Sequence, residues 1–247
     1  MGFFSDIKIL THLIFKPIRG KNHQDRLESF YAGQASGYDD FRKRLLLGRK
    51  ELWDLLKEPS KDCIWVDFGG GTGANLENFS SERIAKIKKI YLVDLSPSLL
   101  KMAQKRIDDR GWKNVELVED DATTWTPPEG KVDVVTFSYS LTMIPDWFGA
   151  IENAKKILKE GGLLGIVDFY VARKYPLENH QKQRWFTRNF WPVWFSSDNV
   201  FPSPDHVPFL HQKFHPVEFQ EHRAKVPYLF FLKTPYYQFV GQKKETP

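Results

Sequence analysis

The 247-residue chain is poor in cysteine and has no long apolar run. Its single cysteine, Cys63, excludes an internal disulfide and indicates a packing thiol in a reducing compartment. No run of about 18 apolar residues occurs, so we expect no transmembrane helix. The usual pattern of a signal peptide and internal repeats are missing too. These absences predict an intracellular globular protein.

Patterns typical of metal or nucleic-acid binding are also missing. His206, His211 and His215 follow one another in a Pro-rich stretch without the context of metal ligands, so no metal site is expected. The net charge of +5 suits an anionic surface. No zinc-knuckle spacing or base-stacking signature accompanies that charge, so no nucleic acid is expected as a partner.

Residues 64–76, IWVDFGGGTGANL, combine an apolar strand, a glycine-rich turn and the start of a helix. Gly69, Gly71 and Gly73 permit a sharp turn and the close approach of a ligand, because no Cβ stands in the way. The pattern predicts a nucleotide-type ligand. The same letters satisfy the G-x-G-x-x-A dinucleotide fingerprint, so a dinucleotide site and a purely structural turn stay as alternatives.

Asp67 favours S-adenosylmethionine over a dinucleotide. It lies two residues before Gly69, where its carboxylate can meet the ammonium group of the cofactor and would repel a diphosphate. The turn also lacks the lysine of a phosphate-gripping P-loop. We therefore expect Asp67 and the glycines to hold S-adenosylmethionine, with S-adenosylhomocysteine as the product.

Strands and helices alternate after the glycine turn. Strands are expected at 64–67, 90–95, 115–118, 132–137 and 163–169, and helices at 75–88, 97–110 and 147–160. This alternation predicts an α/β, doubly wound parallel sheet. Asp94 ends the second strand about 20 residues past the glycines, where an acid hydrogen-bonds ribose hydroxyls.

The successive motifs resemble those of the class I S-adenosylmethionine-dependent methyltransferases. They read VDFGGGTGANL, YLVDLS, EDDAT, DVVTFSYSL and LKEGGLLGIVDF, and the closing YYQFVGQK is similar to the last strand of that family. The resemblance implies a mostly parallel, seven-stranded, Rossmann-like sheet. It implies that the glycines cradle the methionine end and that Asp94 holds the ribose. It further implies that Asp121 and Ala122 meet the adenine and that the Ser138 region lines the methyl-transfer mouth.

The segments outside this core bear on the substrate. Residues 3–18 form a short basic amphipathic pattern, typical of a helix at a membrane interface or of one packed on a neighbouring domain.

Residues 28–53 are expected to close over the cofactor, with Tyr38 capping it and Arg49 reaching the methionine carboxylate. A polar helix with surface tyrosines is the alternative. Residues 171–216 are rich in aromatics, which suits lipid contact, a cage for a methylated ammonium, or a packed cap.

The chain resembles one subfamily of these enzymes closely. FYAGQASGYDDFRKRLLLGRKELW, WVDFGGGTGANLE and VPYLFFLKTPYYQFVGQKK look like the N-methyltransferase part of betaine-lipid synthases. That resemblance implies three N-methylations of diacylglyceryl homoserine to diacylglyceryl-N,N,N-trimethylhomoserine. It also implies a lipid substrate at a membrane surface, the endoplasmic reticulum in a eukaryote. An aminocarboxypropyl transferase domain or subunit is the implied partner.

Other acceptors and a different class of function stay open. A different lipid head group, a small soluble amine, or a non-catalytic scaffold that binds the cofactor would fit the same motifs. For methyl transfer, Tyr139 is placed to contact the reacting amine, and the insertion histidines are placed to relay its proton. The expected organisation is an extension over 1–27 and a methyltransferase domain over 28–247. This domain divides into a cofactor core at 61–170, a substrate-side insertion at 171–216 and two last strands at 217–243.

Overall fold

The computed structural model describes residues 20–31, 45–56, 62–226 and 232–244. The amphipathic pattern at 3–18 and the expected cap residue Tyr38 lie outside the described residues. Helices α1 to α7 span His23–Tyr31, Arg49–Leu55, Ser81–Lys86, Pro97–Arg110, Trp147–Ile157, Trp185–Ser196 and His206–Lys213. Strands β1 to β7 span Ile64–Phe68, Lys89–Asp94, Val115–Glu119, Val132–Ser138, Leu158–Phe169, Phe214–Lys225 and Lys233–Lys243.

The seven strands form one sheet in the order β3-β2-β1-β4-β5-β7-β6. The first five strands run parallel, while β7 lies antiparallel between β5 and β6. The strand order reverses between β1 and β4, so a crevice opens at the carboxyl ends of these strands. The expected doubly wound, mostly parallel sheet is confirmed, with the aromatic-rich insertion before its last two strands.

Helix α4 has the bounds that its sequence predicts. Ser96 caps it by accepting a hydrogen bond from the Leu99 amide at 3.3 Å, and Pro97 occupies the first turn, where no N–H is needed. Gly111 ends the helix in the left-handed conformation, with φ 66°. The helix therefore begins directly after the end of β2, beside the crevice.

The first crossover differs from the single helix expected at 75–88. It consists of a 3-10 helix, Ala74–Asn78, and the short α3, with an extended residue, Phe79, between them. Ser80 starts a new helix by accepting a hydrogen bond from the Arg83 amide at 3.2 Å. The break turns the Phe79 ring onto Trp53 and Trp65, so tertiary packing overrides the helical pattern.

Helix α5 also ends earlier than expected, at Ile157 rather than at 160. Leu158 already pairs with Val132 as the first residue of β5, and its backbone is extended. A register shift between Val132 and Val134 accommodates the following glycines, which the sequence alone suggested would follow the helix. The strand is therefore longer than the 163–169 predicted for it.

The boundary expected after residue 27 falls inside α1, which runs continuously from 23 to 31. This helix contacts α4. Glu28 accepts a hydrogen bond from the Ser96 hydroxyl at 2.8 Å and another from the Ser98 hydroxyl. The end of the expected extension thus belongs structurally to the cofactor side of the domain.

A cluster of indole and phenyl rings fixes α2 to the sheet. The Trp53 ring lies 5.2 Å from Trp65 and 5.3 Å from Phe79 between centroids, and Trp53 is fully buried. Trp65, on β1, donates from Nε1 to the Thr136 hydroxyl of β4 at 3.0 Å. Since α2 begins at Arg49, this cluster also positions Arg49 beside Tyr139, at the crevice.

Replacing Trp53 with alanine should remove the centre of this cluster and lower the free energy of unfolding by about 3–5 kcal/mol. Urea unfolding followed by circular dichroism measures the change. Lys50→Ala, on the exposed side of the same helix, is the matched control and should leave the midpoint nearly unchanged. An equal, small effect of both substitutions would show that α2 is not docked through Trp53.

Candidate active site

A cavity of about 250 Å³ lies where the carboxyl ends of the parallel strands meet α1. Its walls come from the turn after β1, the ends of β2 and β3, and the segment 139–146 after β4. The lining residues are His23, Leu27, Gly69, Gly71, Val93, Asp94, Leu95, Leu99, Asp120, Asp121, Ala122, Thr123, Tyr139, Ser140, Met143, Ile144, Pro145 and Asp146.

The glycine turn is pressed against the end of β4. Gly69 has φ 66°, and a Cβ there would clash with the Cβ of Ser140. The Ser140 hydroxyl in turn donates to the Phe68 carbonyl at 2.9 Å. Only glycine satisfies both the left-handed backbone and this contact, so the turn lies close against the cavity wall.

Asp94 holds the opposite side of the same turn. Its Oδ2 accepts from the Gly71 amide at 2.8 Å and its Oδ1 accepts from the Ser96 amide at 2.9 Å. Both carboxylate oxygens are thereby oriented at the end of β2, on the cavity wall. This is the placement expected for an acid that binds ribose hydroxyls.

Asp121 and Ala122 also lie on the wall, as the sequence predicts. Asp121 Oδ1 accepts from the amide and the hydroxyl of Thr123, both at 2.8 Å. Asn153, from α5, donates to the carbonyl of Ala122 at 2.9 Å and to that of Trp125 at 2.8 Å. The segment after β3 is therefore held rigidly, with apolar Val93 and Leu99 as neighbours in the cavity.

Asp67 lies behind the glycine turn rather than on the cavity wall. Its side chain is fully buried and accepts from the Thr136 hydroxyl at 2.8 Å and from Asn75 Nδ2 at 3.1 Å. Burial raises the pKa of Asp67 to about 6, although these hydrogen bonds and the charge of Arg49 oppose the rise. A direct contact between Asp67 and a cofactor ammonium group stays a prediction.

Two other residues that were expected to contact the cofactor, Gly73 and Ser138, also lie away from the cavity wall. Gly73 ends the turn at φ 70°, close to Leu92 and Ala103 rather than on the wall. Ser138 is buried and donates to Asn75 Oδ1 at 3.4 Å. The Ser138 region reaches the cavity through the two residues that follow it.

Tyr139 is the first of these and has a strained backbone, with φ 54°. Its amide donates to the Val167 carbonyl at 2.8 Å and its hydroxyl donates to the Leu47 carbonyl at 2.6 Å. Desolvation raises the pKa of Tyr139 well above its usual value. The phenol therefore stays neutral at physiological pH, so it does not serve as a tyrosinate base.

Arg49 is placed beside Tyr139, although it does not line the cavity. Its guanidinium lies 5.5 Å from the centroid of the Tyr139 ring. Its charge also acts on Asp67. The expected reach of Arg49 to a methionine carboxylate stays a prediction.

Sequence reasoning missed the contribution of α1. His23 and Leu27 face the cavity, and Gln24 Nε2 donates to the Leu95 carbonyl at 3.1 Å. Burial and the charge of Arg26 lower the pKa of His23, so its imidazole is neutral at physiological pH. No motif marks this helix, because its docking depends on Glu28 meeting a cap serine far away in sequence.

The insertion histidines do not lie on the cavity wall. His206 is fully buried, and burial lowers its pKa to about 3. His211 lies beside His180, at 5.0 Å between ring centroids, and His215 is on β6. Their expected part in relaying a substrate proton is therefore not supported by where they lie. Within the described ranges, no group of three potential ligands could hold a metal ion.

The cavity suits S-adenosylmethionine by the space beside Gly71 and by the hydrogen-bond acceptors Asp94 and Asp121 on its wall. A Cβ added to Gly71 would meet only Leu99 and the Asp94 carboxylate, at 3.7 and 3.9 Å, both on the cavity wall. The missing side chain leaves room for a ligand beside the carboxylate. Fold and site together define a class I S-adenosylmethionine-dependent methyltransferase.

Comparison with known proteins agrees with this class. A family model described as methyltransferase domain matches residues 37–219. The chain therefore belongs to that family. The ubiquinone/menaquinone biosynthesis C-methyltransferase UbiE of Escherichia coli is 29% identical over 167 residues, which are 64% of this chain and 65% of UbiE. The chain thus spans less than two thirds of that relative.

Solved structures share the fold at low sequence identity. A methyltransferase from Aquifex aeolicus has a TM-score of 0.57 at 16% identity and covers 82% of this chain and 93% of its own. The phosphoethanolamine N-methyltransferase 2 of Haemonchus contortus, in complex with S-adenosyl-L-methionine, has a TM-score of 0.61 at 14% identity. The match covers 80% of this chain and 52% of that enzyme.

The described helices are all too short or too polar to cross a bilayer.

The pKa of Asp67 provides a test of its expected role. If the ammonium group of S-adenosylhomocysteine lies beside this carboxylate, binding favours the ionised form and releases a proton. The affinity should then be constant above pH 6 and fall below it, by up to about tenfold per pH unit. Titration calorimetry in two buffers of different ionisation enthalpy measures both the affinity and the proton release.

Asp67→Asn is the control, because it removes this titration and keeps the side-chain shape. The residual pH dependence of the variant reports other groups on the wall, His23 among them. Equal proton release by the variant and the unmodified chain would assign Asp67 a purely structural role.

Proposed function

We propose that this chain is an N-methyltransferase that converts diacylglyceryl homoserine to its trimethylated betaine lipid in three steps. The proposal rests on the sequence resemblance to betaine-lipid synthases and on one structural observation, the path of aromatic contacts that joins the insertion to the cavity. An aminocarboxypropyl transferase domain or subunit would supply the substrate. The site of action would be an intracellular membrane surface.

The aromatic path begins in α6 and ends at Tyr139. Phe195 stacks on Phe169 at 4.7 Å between centroids, and Phe169 lies 4.7 Å from the ring of Tyr139. Phe201, further along the insertion, donates its amide to the Thr142 carbonyl at 2.7 Å. The insertion therefore packs directly behind the segment that lines the cavity, which favours an acceptor with a large apolar part.

The cofactor would supply an electrophilic methyl group on a sulfonium. A neutral amine nitrogen would attack that carbon, so that the N–C bond forms as the C–S bond breaks and the sulfur keeps the electron pair. After the first and the second transfer, the methylated nitrogen would release a proton to water before the next one. The amine must first lose a proton, and the apolar side chains of Met143, Ile144 and Pro145 disfavour its charged form. The main task of the protein is to hold the reacting atoms in line.

Tyr139 is suited to orient the amine. Because its hydroxyl proton is donated to the Leu47 carbonyl, the oxygen can accept a hydrogen bond from an amine N–H. Such a bond would direct the nitrogen lone pair without any change in the charge of the phenol. The same residue would act in the first two methylations, since a neutral tertiary amine has no N–H.

Other acceptors fit the same site. A different head group, such as phosphatidylethanolamine, or a small soluble amine would also present a nitrogen, and the UbiE relative is named as a C-methyltransferase. A non-catalytic scaffold would bind the cofactor without forming product. The aromatic insertion favours a lipid acceptor over a soluble amine, and the sequence resemblance favours diacylglyceryl homoserine among the lipids.

The direct test is transfer of labelled methyl groups from S-adenosylmethionine to diacylglyceryl homoserine in mixed micelles. We expect mono-, di- and trimethylated lipid, resolved by mass spectrometry. Phosphatidylethanolamine and homoserine are the matched lipid and soluble acceptors. Methylation of either of these in place of diacylglyceryl homoserine would contradict the proposed substrate, and cofactor binding without any product would favour the scaffold.

Tyr139→Phe should slow the first two methylations by about tenfold, the value of one hydrogen bond, and leave the third unchanged. Single-turnover assays with the unmethylated, monomethylated and dimethylated lipids separate the steps. The affinity for S-adenosylhomocysteine is the control for intact folding. Unchanged rates at every step would remove Tyr139 from the mechanism.

A further inference from the structure

Helix α6 exposes large apolar side chains on its outer surface. Trp185 is 71% exposed, Phe186 49% and Val193 74%. Phe190 is half-buried against the core and stacks on Phe186 at 4.9 Å and on Trp194 at 5.7 Å between centroids, so it supports the exposed rings from beneath. We call the exposed Trp185, Phe186 and Val193 the outer face of α6. A row of this kind is unusual on a protein surface and indicates an interaction site.

A different side of the helix fixes it to the domain core. The opposite side of the helix carries Trp191 and Phe195, which are buried and stack on each other at 5.5 Å between centroids. Phe195 continues onto Phe169 of β5, so these two residues fix the helix to the sheet. A helix that is apolar on two sides needs, besides its own domain, a second apolar partner that covers the exposed side.

The charges around the outer face identify that partner. Lys182 and Arg184 directly precede the helix and are exposed. The helix itself, WFTRNFWPVWFS, contains no acidic residue. Tryptophan and phenylalanine beside basic residues are typical of helices that lie in the interface of an anionic bilayer, where each basic residue near the surface contributes about 1 kcal/mol.

We propose that the outer face of α6 docks on an anionic lipid bilayer, with the helix parallel to the surface. The inference deepens the proposed function, on which it rests for the reason to approach a membrane. Through Phe195 and Phe169, the docked helix is two ring contacts from Tyr139 on the cavity wall. Docking there would hold the reaction site close to the lipids that it serves.

A fluorescent probe at position 193 tests the docking directly. The only cysteine of the chain, Cys63, is buried, and burial raises the pKa of its thiol to about 12, so a thiol-reactive probe should spare it. Val193→Cys labelled with an environment-sensitive dye is compared with Val217→Cys, an exposed valine on β6. Vesicles contain either phosphatidylcholine alone or a mixture with phosphatidylserine.

We expect a blue shift and a severalfold rise in emission at position 193 with the anionic vesicles, a much smaller change with neutral vesicles, and none at position 217. Equal responses at both positions, or none at 193 while the protein sediments with the vesicles, would overturn the proposal. A change at 193 that depends on protein concentration without vesicles would instead assign the face to a second copy of the chain, and would also overturn it.

Substitution separates docking from catalysis. The double variant Trp185→Ser and Phe186→Ser should lose at least about tenfold in vesicle affinity, because two large apolar side chains no longer leave water, and should keep its affinity for S-adenosylhomocysteine. Val217→Ser is the surface control. Unchanged vesicle affinity of the double variant would contradict the docking face even if the lipid is methylated, whereas docking without methylation of any lipid would leave the face intact and contradict the proposed function.

Discussion

The contact of the glycine turn with the ends of its two neighbouring strands is the constraint on which the site depends. Gly69 lies so close to Ser140 that no other residue fits, and the Gly71 amide is held by the carboxylate of Asp94. Each contact joins β1 to a different neighbour in the sheet, so the turn cannot move independently of either strand. The space beside Gly71 therefore has a fixed shape before any ligand enters it, which reduces the entropy lost on binding.

Burial of a carboxylate beneath this turn costs free energy, and a helix covers the cavity above the turn. Asp67 is buried beneath the turn, where Asn75 and Thr136 offset only part of its desolvation. Above, α1 closes over the cavity because Glu28 hydrogen-bonds the serine that caps α4. The same cap begins the helix that follows Asp94. One short stretch of chain thus orients the Asp94 carboxylate, starts α4 and holds the covering helix.

The sheet and the centre of the site could be predicted from the sequence, because strand periodicity, glycine spacing and the acid after β2 are local signals. Those signals predicted the place of Asp94, whereas Asp121 and Ala122 were expected from the resemblance to class I methyltransferases; all three lie on the cavity wall. The features that the sequence did not predict depend on packing between segments that are distant in sequence. Phe79 breaks the first crossover helix to reach Trp53, and His23 reaches the cavity through a helix without any motif. The direction of the Tyr139 hydroxyl is set by the Leu47 carbonyl, a partner 92 positions away.

The central claim is that the preformed space between Gly71, Asp94 and Asp121 holds S-adenosylmethionine in one orientation. A crystal structure of the chain with S-adenosylhomocysteine tests it most directly. We expect the ribose hydroxyls within about 3 Å of the Asp94 carboxylate, the adenine beside Asp121 and Ala122, and the sulfur toward Tyr139. A ligand bound in the cavity without contact to Asp94, or with its adenine at Tyr139, would contradict the account.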